Sequence, residues 1–449
     1  MTPQPSALLA DFTTSTQLRD LSPQALLSVK QLALKTVAGM LAGSSMEAGS
    51  KVAEFVRAHP DGEQVGVVGH GFKASLWKAT FANAFFAHQS ELEDDRLNTG
   101  TSWDITTFPM LLPLAQVYRM SGADMLVSAA VGLEVMARTC QFFPQGHLGL
   151  SIVPPSIGPS ALACRAMGLD AQQTAAAFGL AMSGVPLAYA NFGTDAHFFE
   201  TSMQTLHGLV AAQGASLGLS SNPDIVRYLT GLLGKDRVDG DMMIQGLGDQ
   251  WQFTEIWVKK YPCCLYTHRY IDGLLELKQQ ARFSAQDVHS IRLHVAAGAM
   301  EVCNRPSPLT TGDLQFSFQH VLSSALLDDD VNYHHIDVAR VVDPTYVNER
   351  QKVEVVVRRD WTSRLPVESP SLLEVQLHDG RTLTNSRQYP TGTVHEPLSL
   401  DFVKGLFDKF VGENLFHHDR EFAANAIAEL ESLDAADVSQ LIRVLNHDD

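Results

Sequence analysis

The sequence predicts a mainly α protein in which a large all-helical domain is interrupted by a smaller α+β domain. Three observations predict this fold class. Segments rich in Ala and Leu with helical spacing occupy the chain to about residue 270, alternating strand-like segments begin near residue 282, and helical spacing returns from Leu400. We place the first part of the helical domain at 1–271, the α+β domain at 272–394 and the C-terminal part of the helical domain at 395–449.

The composition is that of a globular protein with a negative net charge. Of the 449 residues, 45% are hydrophobic and 18% are charged, and the formal net charge is −17. Nucleic acid and anionic membranes attract basic surfaces, so we expect neither as a partner. The five cysteines form no CxxC motif, which favours a reducing compartment. Because we find neither a secretory signal nor a long apolar run free of polar residues, we expect a cytoplasmic protein without a membrane span.

The first long helix has recognisable start and stop signals. Ser22 is a suitable N-cap, Pro23 suits the first helical position, and Gly43 is the predicted stop. Small residues dominate this helix and those that follow, which predicts that the helices pack closely. The predicted helices before the α+β domain cover about 20–45, 74–89, 109–119, 122–140, 158–167, 171–184 and 202–219.

Strand signals define the α+β domain. The segment HSIRLHV alternates apolar and polar residues, KVEVVV and LLEVQLHDGRTLTNS follow it, and Asp379-Gly380 forms a predicted hairpin turn. Between these segments, GDLQFSFQHVLSSALLDDD has the spacing of one amphipathic helix. Residues 400–445 return to helical spacing and complete the helical domain.

The stretch HQSELEDD, residues 88–95, places four carboxylates just after large apolar residues: Glu91, Glu93, Asp94 and Asp95. One interpretation is a solvated turn. The other is a pocket wall, where crowded, partly buried carboxylates raise one another's pKa and one of them transfers a proton near neutral pH. If the segment is helical, His88 shares a face with Glu91, while Glu93 points about 200° away from Glu91. The spacing matches no EF-hand and no His/Cys set completes a transition-metal site, so we expect no metal.

Three segments resemble motifs of the MmgE/PrpD superfamily. The segment HQSELEDD at 88–95 resembles the family's HxxDFDDT motif, KKYPC at 259–263 resembles KPYPC, and FSFQH at 316–320 resembles FSxQY. Together with the helical, α+β, helical order of the domains, these motifs extend the resemblance over almost the whole chain. The fold class is therefore identified as MmgE/PrpD-like.

The resemblance implies a homodimer whose subunits have a large helical domain, a smaller α+β lid domain and an active site between them. It also implies catalysis without a metal or an organic cofactor. The substrates would be small polycarboxylates, and a proton next to a carboxylate would move with loss of water, loss of carbon dioxide or inversion. We therefore expect a small-molecule substrate, no cofactor, and a second copy of the chain as partner.

The resemblance also selects candidate residues. Glu91 or Asp95, assisted by His88, would carry the proton, and Lys259 would anchor a carboxylate as a point charge. The candidate substrate-binding residues are Thr106, Gln204, His207, Tyr261, His268 and His320. Ordinary structural roles are the alternative: Lys259 could end a helix in solvent, and either His207 or His268 could simply fill a core.

Departures from the family motifs make the candidate site more negative. Thr106 and Gly149 stand where the family has histidines, and Gln204 stands where it has a lysine. In the acidic motif, Glu91 replaces the first aspartate and Asp95 replaces the threonine. Loss of a lysine and two histidines removes positive charge and proton carriers. We therefore expect a substrate that is less anionic than a citrate-type tricarboxylate.

The leading functional hypothesis is a cofactor-independent lyase or isomerase that moves a proton next to a carboxylate or carbonyl, by dehydration, decarboxylation or epimerisation. Polarisation of that group would stabilise an enolate-like transition state. There are two alternatives. One is a pocket repurposed in secondary metabolism for cyclisation or elimination on a larger apolar substrate, and the other is a catalytically silent homodimer with a binding or structural role.

Overall fold

A computed structural model of the chain describes residues 4–96, 101–142, 156–182, 195–222, 224–235, 238–361 and 370–448. The chain forms two compact units. Unit 1 comprises Met1–Asp94, Thr101–Glu255 and Ser399–Asp449, and unit 2 comprises Asp95–Gly100 and Ile256–Leu398. Helices dominate the described residues and strands are few, so the prediction of a mainly α protein is confirmed.

Among the residues that the structure describes, unit 1 is built from helices, with three strands of two residues each: β1 (Val65–Gly66), β2 (Lys73–Ala74) and β4 (Thr101–Ser102). The helices before Glu255 are α1 (Pro5–Ser15), α2 (Pro23–Ser45), α3 (Glu47–Ala58), α4 (Leu76–Gln89), α5 (Asp104–Tyr118), α6 (Gly122–Phe142), α7 (Ile157–Met167), α8 (Ala171–Ala181), α9 (Asp195–Ser216), α10 (Ile225–Leu233) and α11 (Gly240–Ile244). The C-terminal helices are α17 (Leu400–Val411), α18 (His417–Ala428) and α19 (Ala435–Asn446).

Helix α2 begins where the sequence predicts. The Ser22 hydroxyl accepts a hydrogen bond from the Ala25 amide at 3.1 Å, and Pro23 occupies the first turn. The predicted stop at Gly43 is wrong, because the helix continues to Ser45. Helix α2 is long and apolar enough to cross a membrane, but 83% of its most apolar window is buried inside the protein, which accounts for its apolar surface.

Glycines let α2 and α4 approach closely. A Cβ atom added to Gly43 would overlap the carbonyl oxygen of Phe86. A Cβ atom on Gly39 would lie 2.6 Å from the Ser90 hydroxyl oxygen, just beyond the end of α4. Gly43 is therefore a contact residue within the helix, and α2 fixes the position at which α4 ends.

Unit 2 combines helices with a mixed sheet. Its helices are α12 (His268–Ala281), α13 (Ala297–Cys303), α14 (Thr311–Gln315), α15 (Phe318–Asp328) and α16 (Pro344–Arg350). Its strands are β3 (Asp95–Arg96), β5 (Ile256–Trp257), β6 (Val288–Val295), β7 (Val353–Val357), β8 (Ser371–Leu377) and β9 (Thr382–Arg387). Strands β3 and β5 pair antiparallel.

The main sheet of unit 2 has the strand order β7-β6-β8-β9. Strand β6 is parallel to β7 and antiparallel to β8, so Leu293 lies opposite both Val355 and Leu373. The predicted hairpin at Asp379-Gly380 is confirmed, and Gly380 has a φ of +92° that suits glycine in a turn. Alternate residues of β6 and β8 face a core shared with α12 and α15.

The segment predicted as one amphipathic helix is two helices. Helix α14 ends at Gln315, and α15 begins at Phe318. The Ser317 hydroxyl caps the new helix by accepting a hydrogen bond from the His320 amide at 3.1 Å. The periodicity of the sequence did not reveal this break, because Phe316, which lies between the two helices, contributes to the same core as Phe318 of α15.

Candidate active site

The acidic segment leaves α4 through a left-handed turn. Helix α4 ends at Gln89, and Glu91 has a φ of +52°. A non-glycine residue in this conformation is strained by roughly 1–2 kcal/mol. The Ser90 hydroxyl supports the turn, since it donates to the Ala87 carbonyl at 2.6 Å and accepts from the Leu92 amide at 3.2 Å.

This turn brings three side chains together. His88, Glu91 and Glu93 each offer one donor atom, and these atoms lie within 4.8 Å of one another. The residues are only 4%, 1% and 6% exposed, respectively, so the solvated-turn interpretation is wrong. The helical assumption for the segment is also wrong. Glu93 joins the same group as Glu91 instead of pointing away from it.

A second helix orients the imidazole of His88. The Thr201 hydroxyl of α9 lies 2.6 Å from His88 Nδ1, which is a hydrogen bond. The ring also makes an edge contact with Phe198, with 5.3 Å between ring centroids. Because one ring nitrogen and the ring plane are both constrained, the imidazole is held in one orientation beside the carboxylates of Glu91 and Glu93.

A buried network holds the end of the acidic segment. Lys35 of α2 lies 3.5 Å from Asp94, and its ammonium donates to the Leu92 carbonyl at 3.2 Å. The Asp94 amide donates to Asp104 at 3.2 Å, and the Thr36 hydroxyl donates to the same carboxyl at 2.8 Å. Burial, followed by the negative charge of Asp94, raises the pKa of Asp104 well above its ordinary value. The neutral form of Asp104 is therefore favoured beside Asp94.

The sequence analysis missed Lys35, Asp104 and Thr201. They lie far from the acidic motif along the chain, and only the fold brings them to it. One signal was available for Lys35, a lysine that directly follows the apolar residues 32–34 in a predicted helix. A buried lysine needs a negative partner, so this position predicts a buried carboxylate even though the sequence does not say which one.

The group of His88, Glu91 and Glu93 could also hold a divalent cation. One imidazole nitrogen and two carboxylate oxygens are ligands that zinc and other first-row metals accept. The spacing of these residues along the sequence did not predict such a site. The three side chains come together because the backbone turns at Glu91, which has a left-handed conformation. The fold therefore provides a possible metal site among residues for which the spacing in the sequence had predicted no metal.

Of the other candidate residues in unit 1, Thr106 and Gln204 each form a hydrogen bond with another residue of unit 1. The Thr106 hydroxyl donates to the Trp103 carbonyl at 2.9 Å in the first turn of α5, and Thr106 is buried. Gln204 accepts a hydrogen bond from the Ser156 hydroxyl at 2.6 Å. His207 is half-buried on α9. Gly149 lies outside the described residues.

In unit 2, Asp95 and Lys259 are both buried. Asp95 pairs with Trp257 in the β3–β5 ladder and is 3% exposed. Lys259 is 1% exposed, two positions after the end of β5. The alternative of an exposed lysine at a helix end is therefore wrong. A lysine is seldom buried to this degree unless negative groups or hydrogen bonds compensate it.

Tyr261 and His268 lie near each other in the core of unit 2. The Tyr261 hydroxyl donates to Asp272 at 2.9 Å, and Lys260 lies 3.2 Å from the same carboxylate oxygen. Burial, followed by the charge of Asp272, raises the pKa of Tyr261 well above its usual range, so the phenol stays protonated. His268 is fully buried, and its Nε2 lies 3.1 Å from the Cys263 carbonyl oxygen.

His320 occupies a structural network within unit 2. Its Nε2 donates to the His335 carbonyl at 2.6 Å, and its Nδ1 accepts from the Arg350 guanidinium at 3.2 Å. Both ring nitrogens are therefore occupied by protein groups. Burial lowers the pKa of His320 to about 4, which keeps the ring neutral near pH 7. This arrangement favours a structural role for His320 over the predicted role in substrate binding.

Comparisons with known proteins agree with the motifs. The MmgE/PrpD N-terminal domain matches residues 7–234, and the MmgE/PrpD C-terminal domain matches residues 261–430. A cis-aconitate decarboxylase of Mus musculus is 24% identical over 445 residues, covering 93% of this chain and 88% of that protein.

Two further relatives have related names. A cis-aconitate decarboxylase of Homo sapiens is 24% identical over 379 residues, covering 80% of this chain and 78% of that protein. A cis-aconitate decarboxylase-like protein of Aspergillus oryzae is 22% identical over 480 residues, covering 98% and 97% of the two chains. Since the N-terminal and C-terminal matches together span most of the sequence, the chain belongs to the MmgE/PrpD family.

Proposed function

We propose that this protein is a lyase that moves a proton next to a carboxylate of a small carboxylic acid, with loss of carbon dioxide or water. The buried group of His88, Glu91 and Glu93 carries the proposal. An imidazole and two carboxylates that are buried close to one another are the side-chain types that act as general acids and bases, and their proximity allows a proton to pass between them and a bound substrate. The family match and the decarboxylase names of the relatives support this reaction class.

The proposed chemistry assigns each group a role. In a dehydration, Glu91 removes the proton from the carbon next to the carboxylate, the electron pair of that bond forms the new double bond, and the bond to the hydroxyl on the neighbouring carbon breaks. The protonated form of His88 delivers the proton with which that hydroxyl leaves as water. In a decarboxylation, the carbon–carboxylate bond breaks, its electron pair stays on carbon, and the acid form of the same group delivers a proton there. Lys259 is the proposed anchor of the substrate carboxylate. His88 stabilises whichever protonation state Glu91 adopts.

The charges of unit 1 support a substrate with few carboxylates. Glu91 and Glu93 are both buried, and the nearby cation Lys35 already pairs with Asp94. Gln204 stands where the family motif has a lysine, so it offers hydrogen bonds without positive charge. We therefore propose a monocarboxylic or dicarboxylic acid, because each additional carboxylate would be repelled by Glu91 and Glu93.

A ligand and turnover screen tests the proposal. Monocarboxylic, dicarboxylic and tricarboxylic acids, including cis-aconitate, are compared by thermal shift and then by product formation. A ligand that binds only the folded protein raises its melting temperature. We expect at least one monocarboxylate or dicarboxylate to shift the melting temperature and to lose carbon dioxide or water.

The same screen can contradict the charge argument. We expect cis-aconitate to be a poor substrate. Turnover of cis-aconitate with kcat/KM of about 10⁴ M⁻¹s⁻¹ or more, a common value for an enzyme acting on its own substrate, would show that the replaced residues do not exclude a tricarboxylate. Binding of many acids without any turnover would instead support the catalytically silent alternative.

A further inference from the structure

Two lysines stand side by side in the KKYPC segment, and their surroundings differ. The Lys260 ammonium lies 3.2 Å from a carboxylate oxygen of Asp272 and 5.2 Å from the centroid of the Tyr261 ring. These distances are those of an ion pair and of a cation–π contact. Lys260 is therefore engaged by its neighbours in unit 2. Lys259 is 1% exposed and is the lysine that the proposed function assigns to the substrate carboxylate.

Asp272 of α12 holds the backbone that follows Lys259. One of its carboxylate oxygens accepts a hydrogen bond from the Tyr261 hydroxyl at 2.9 Å and also pairs with Lys260. The other oxygen accepts from the Thr391 amide at 3.1 Å. The Asp272 side chain is only 4% exposed, and loss of a polar contact is costly where water cannot replace it. Asp272 thus connects the residues that follow Lys259 to the segment around Thr391.

The segment around Thr391 also holds the backbone that precedes Lys259. The Val258 amide donates to the Gly392 carbonyl at 3.0 Å. The Trp257 indole nitrogen donates to the Thr391 carbonyl at 3.2 Å. The residues immediately before Lys259 are therefore hydrogen-bonded to the same stretch of chain as the residues immediately after it.

Residues 390–393, which we call the Gly392 turn, require the glycine at their centre. Gly392 has a φ of +105°, a conformation that residues with a side chain rarely adopt. A Cβ atom on Gly392 would overlap the carbonyl oxygen of Val258, which belongs to the backbone and cannot swing aside. Glycine therefore lets the Gly392 turn lie directly against the backbone next to Lys259.

The position of the backbone matters for a lysine that binds a carboxylate. Its ammonium is a point charge at the end of a flexible four-carbon stem. The attraction between this charge and a carboxylate falls as the distance between them grows. Hydrogen bonds on both sides of Lys259 remove the movement of the backbone, so that only the stem remains to be ordered by burial.

We propose that Asp272 and the Gly392 turn are positioning elements for Lys259, and that they hold its ammonium where it binds the carboxylate of the acid substrate. Asp272 acts through Lys259 without touching the substrate, because both of its carboxylate oxygens are engaged by groups of unit 2. The inference rests on the proposed function for the role of Lys259. The contacts that carry it all lie within unit 2 and do not involve the proton-transfer group.

Chemical labelling tests the positioning without any substrate. The full chain is treated briefly with formaldehyde and a borane reductant, and methylation of each lysine is followed by mass spectrometry. Lys51, whose side chain is 65% exposed, is the internal reference for Lys259. The wild type is compared with Asp272→Asn and Gly392→Ala. Circular dichroism and melting curves establish that each variant is folded, and either variant alone is sufficient for the test.

Each variant has a matched control in unit 2. Asp313→Asn removes a different ion-paired carboxylate, which lies 2.6 Å from Arg305. Gly380→Ala introduces the same kind of backbone strain, since Gly380 has a φ of +92°, but a Cβ atom there meets nothing within 4 Å. We expect methylation of Lys259, relative to Lys51, to be at least about tenfold faster in the two test variants and unchanged in the two controls, because only the test variants release the backbone that keeps Lys259 buried.

Steady-state kinetics with the best acid from the screen tests what the positioning does. Asp272→Asn should raise KM by about tenfold or more and change kcat much less, because it weakens binding that the ground state and the transition state share. In a Lys259→Gln background, Asp272→Asn should have no further effect, since a residue that acts through another is not additive with it.

Wild-type protection of Lys259 in the folded test variants would overturn the inference, as would full additivity of Asp272→Asn with Lys259→Gln. Failure of the proposed function gives a different result. An unchanged KM in Lys259→Gln would refute the role of Lys259 as carboxylate anchor, and methylation of Lys259 would still decide whether Asp272 and the Gly392 turn hold it in place.

Discussion

Glu91 is the residue on which the geometry of the candidate site depends. Its left-handed backbone ends α4 and turns Glu93 back toward His88. Glycine is the residue usually found in this conformation at a helix end. A glutamate held there is strained, and such strain is most often retained where a side chain is needed in one place.

At this scale the sequence pointed to some of the residues that the structure brings together in the candidate site. The motif at 88–95 pointed to His88 and Glu91, because a histidine and carboxylates in that order are recognisable without a fold. It misplaced Glu93, since helical spacing was extended past the end of α4. The contacts of Lys35 and Asp104 with Asp94 could not be predicted, because they depend on how α2 and α5 pack. The pocket roles of Asp95 and Lys259 stay predictions.

Metal removal gives a prediction at the residue scale. If Glu91 and His88 carry protons, a bound cation would keep both deprotonated and block the reaction. We therefore expect EDTA to leave turnover and melting temperature unchanged, and added Zn²⁺ to inhibit. Activity assays with and without each reagent check this. Loss of activity in EDTA that one particular metal restores would instead make His88, Glu91 and Glu93 a functional metal site.

At the scale of elements, the sequence predicted the longest helices and the main strands, but it missed the helices α1, α3, α10 and α11, and the ends of elements were less predictable than their presence. The start of α2 and the hairpin at Gly380 were found because Ser-Pro and Asp-Gly are local signals. The break at Phe316–Ser317 was missed because apolar periodicity continues across it. Gly43 was wrongly predicted to end the helix, because the sequence alone does not distinguish a glycine that ends a helix from one that allows two helices to pack closely.

The contact between α2 and α4 gives a stability prediction. Gly43→Ala places a Cβ atom against the Phe86 backbone, which cannot move aside as a side chain could. We expect the free energy of unfolding to fall by about 3 kcal/mol, at the upper end of the usual cost of overpacking. Chemical denaturation measures this change.

The matched control is Gly405→Ala in α17. A Cβ atom on Gly405 meets nothing within 4 Å outside its own helix. Because alanine favours a helix interior over glycine, this variant should gain roughly 0.5–1 kcal/mol. Equal stability of the two variants would show that α2 and α4 do not approach as closely as the structure indicates.

For the whole molecule, family membership and a mainly α fold follow from motifs spread over the chain. The lid role of the α+β domain, the homodimer and the cytoplasmic location stay predictions. The order of the three motifs along the chain predicted the family better than any single motif, because this order follows the order of the structural units along the chain. Side-chain contacts between segments that are distant along the chain cannot be predicted from a single sequence in the same way.

The pH dependence of folding is a prediction for the whole molecule. In the folded state the pKa of His320 is about 4, because the ring is buried, whereas in the unfolded chain it lies near 6.5. Between these values the unfolded chain binds the extra proton, so stability is lost as the pH falls from 6.5 toward 4. The contribution of this residue is up to about 3 kcal/mol over that window.

Denaturation curves at several pH values check the sign and the source of this loss. We expect His320→Gln to lose less stability than the wild type between pH 6.5 and pH 4. His418→Gln is the control, since the side chain of His418 is 81% exposed and should leave the dependence unchanged. Identical pH dependence in His320→Gln and the wild type would mean that this ring does not titrate as its burial indicates.

The most direct test of the central claim is proton exchange next to the substrate carboxylate. The best acid from the screen is incubated in deuterated water, and exchange and product are followed by proton NMR for the wild type, Glu91→Gln, Glu93→Gln and the exposed control Glu54→Gln. We predict that Glu91→Gln lowers the rate by about 100-fold or more, that Glu93→Gln is also impaired, and that Glu54→Gln matches the wild type. Folded Glu91→Gln protein that exchanges and turns over at the wild-type rate would contradict the assignment of the buried His88, Glu91 and Glu93 group as the proton-transfer site.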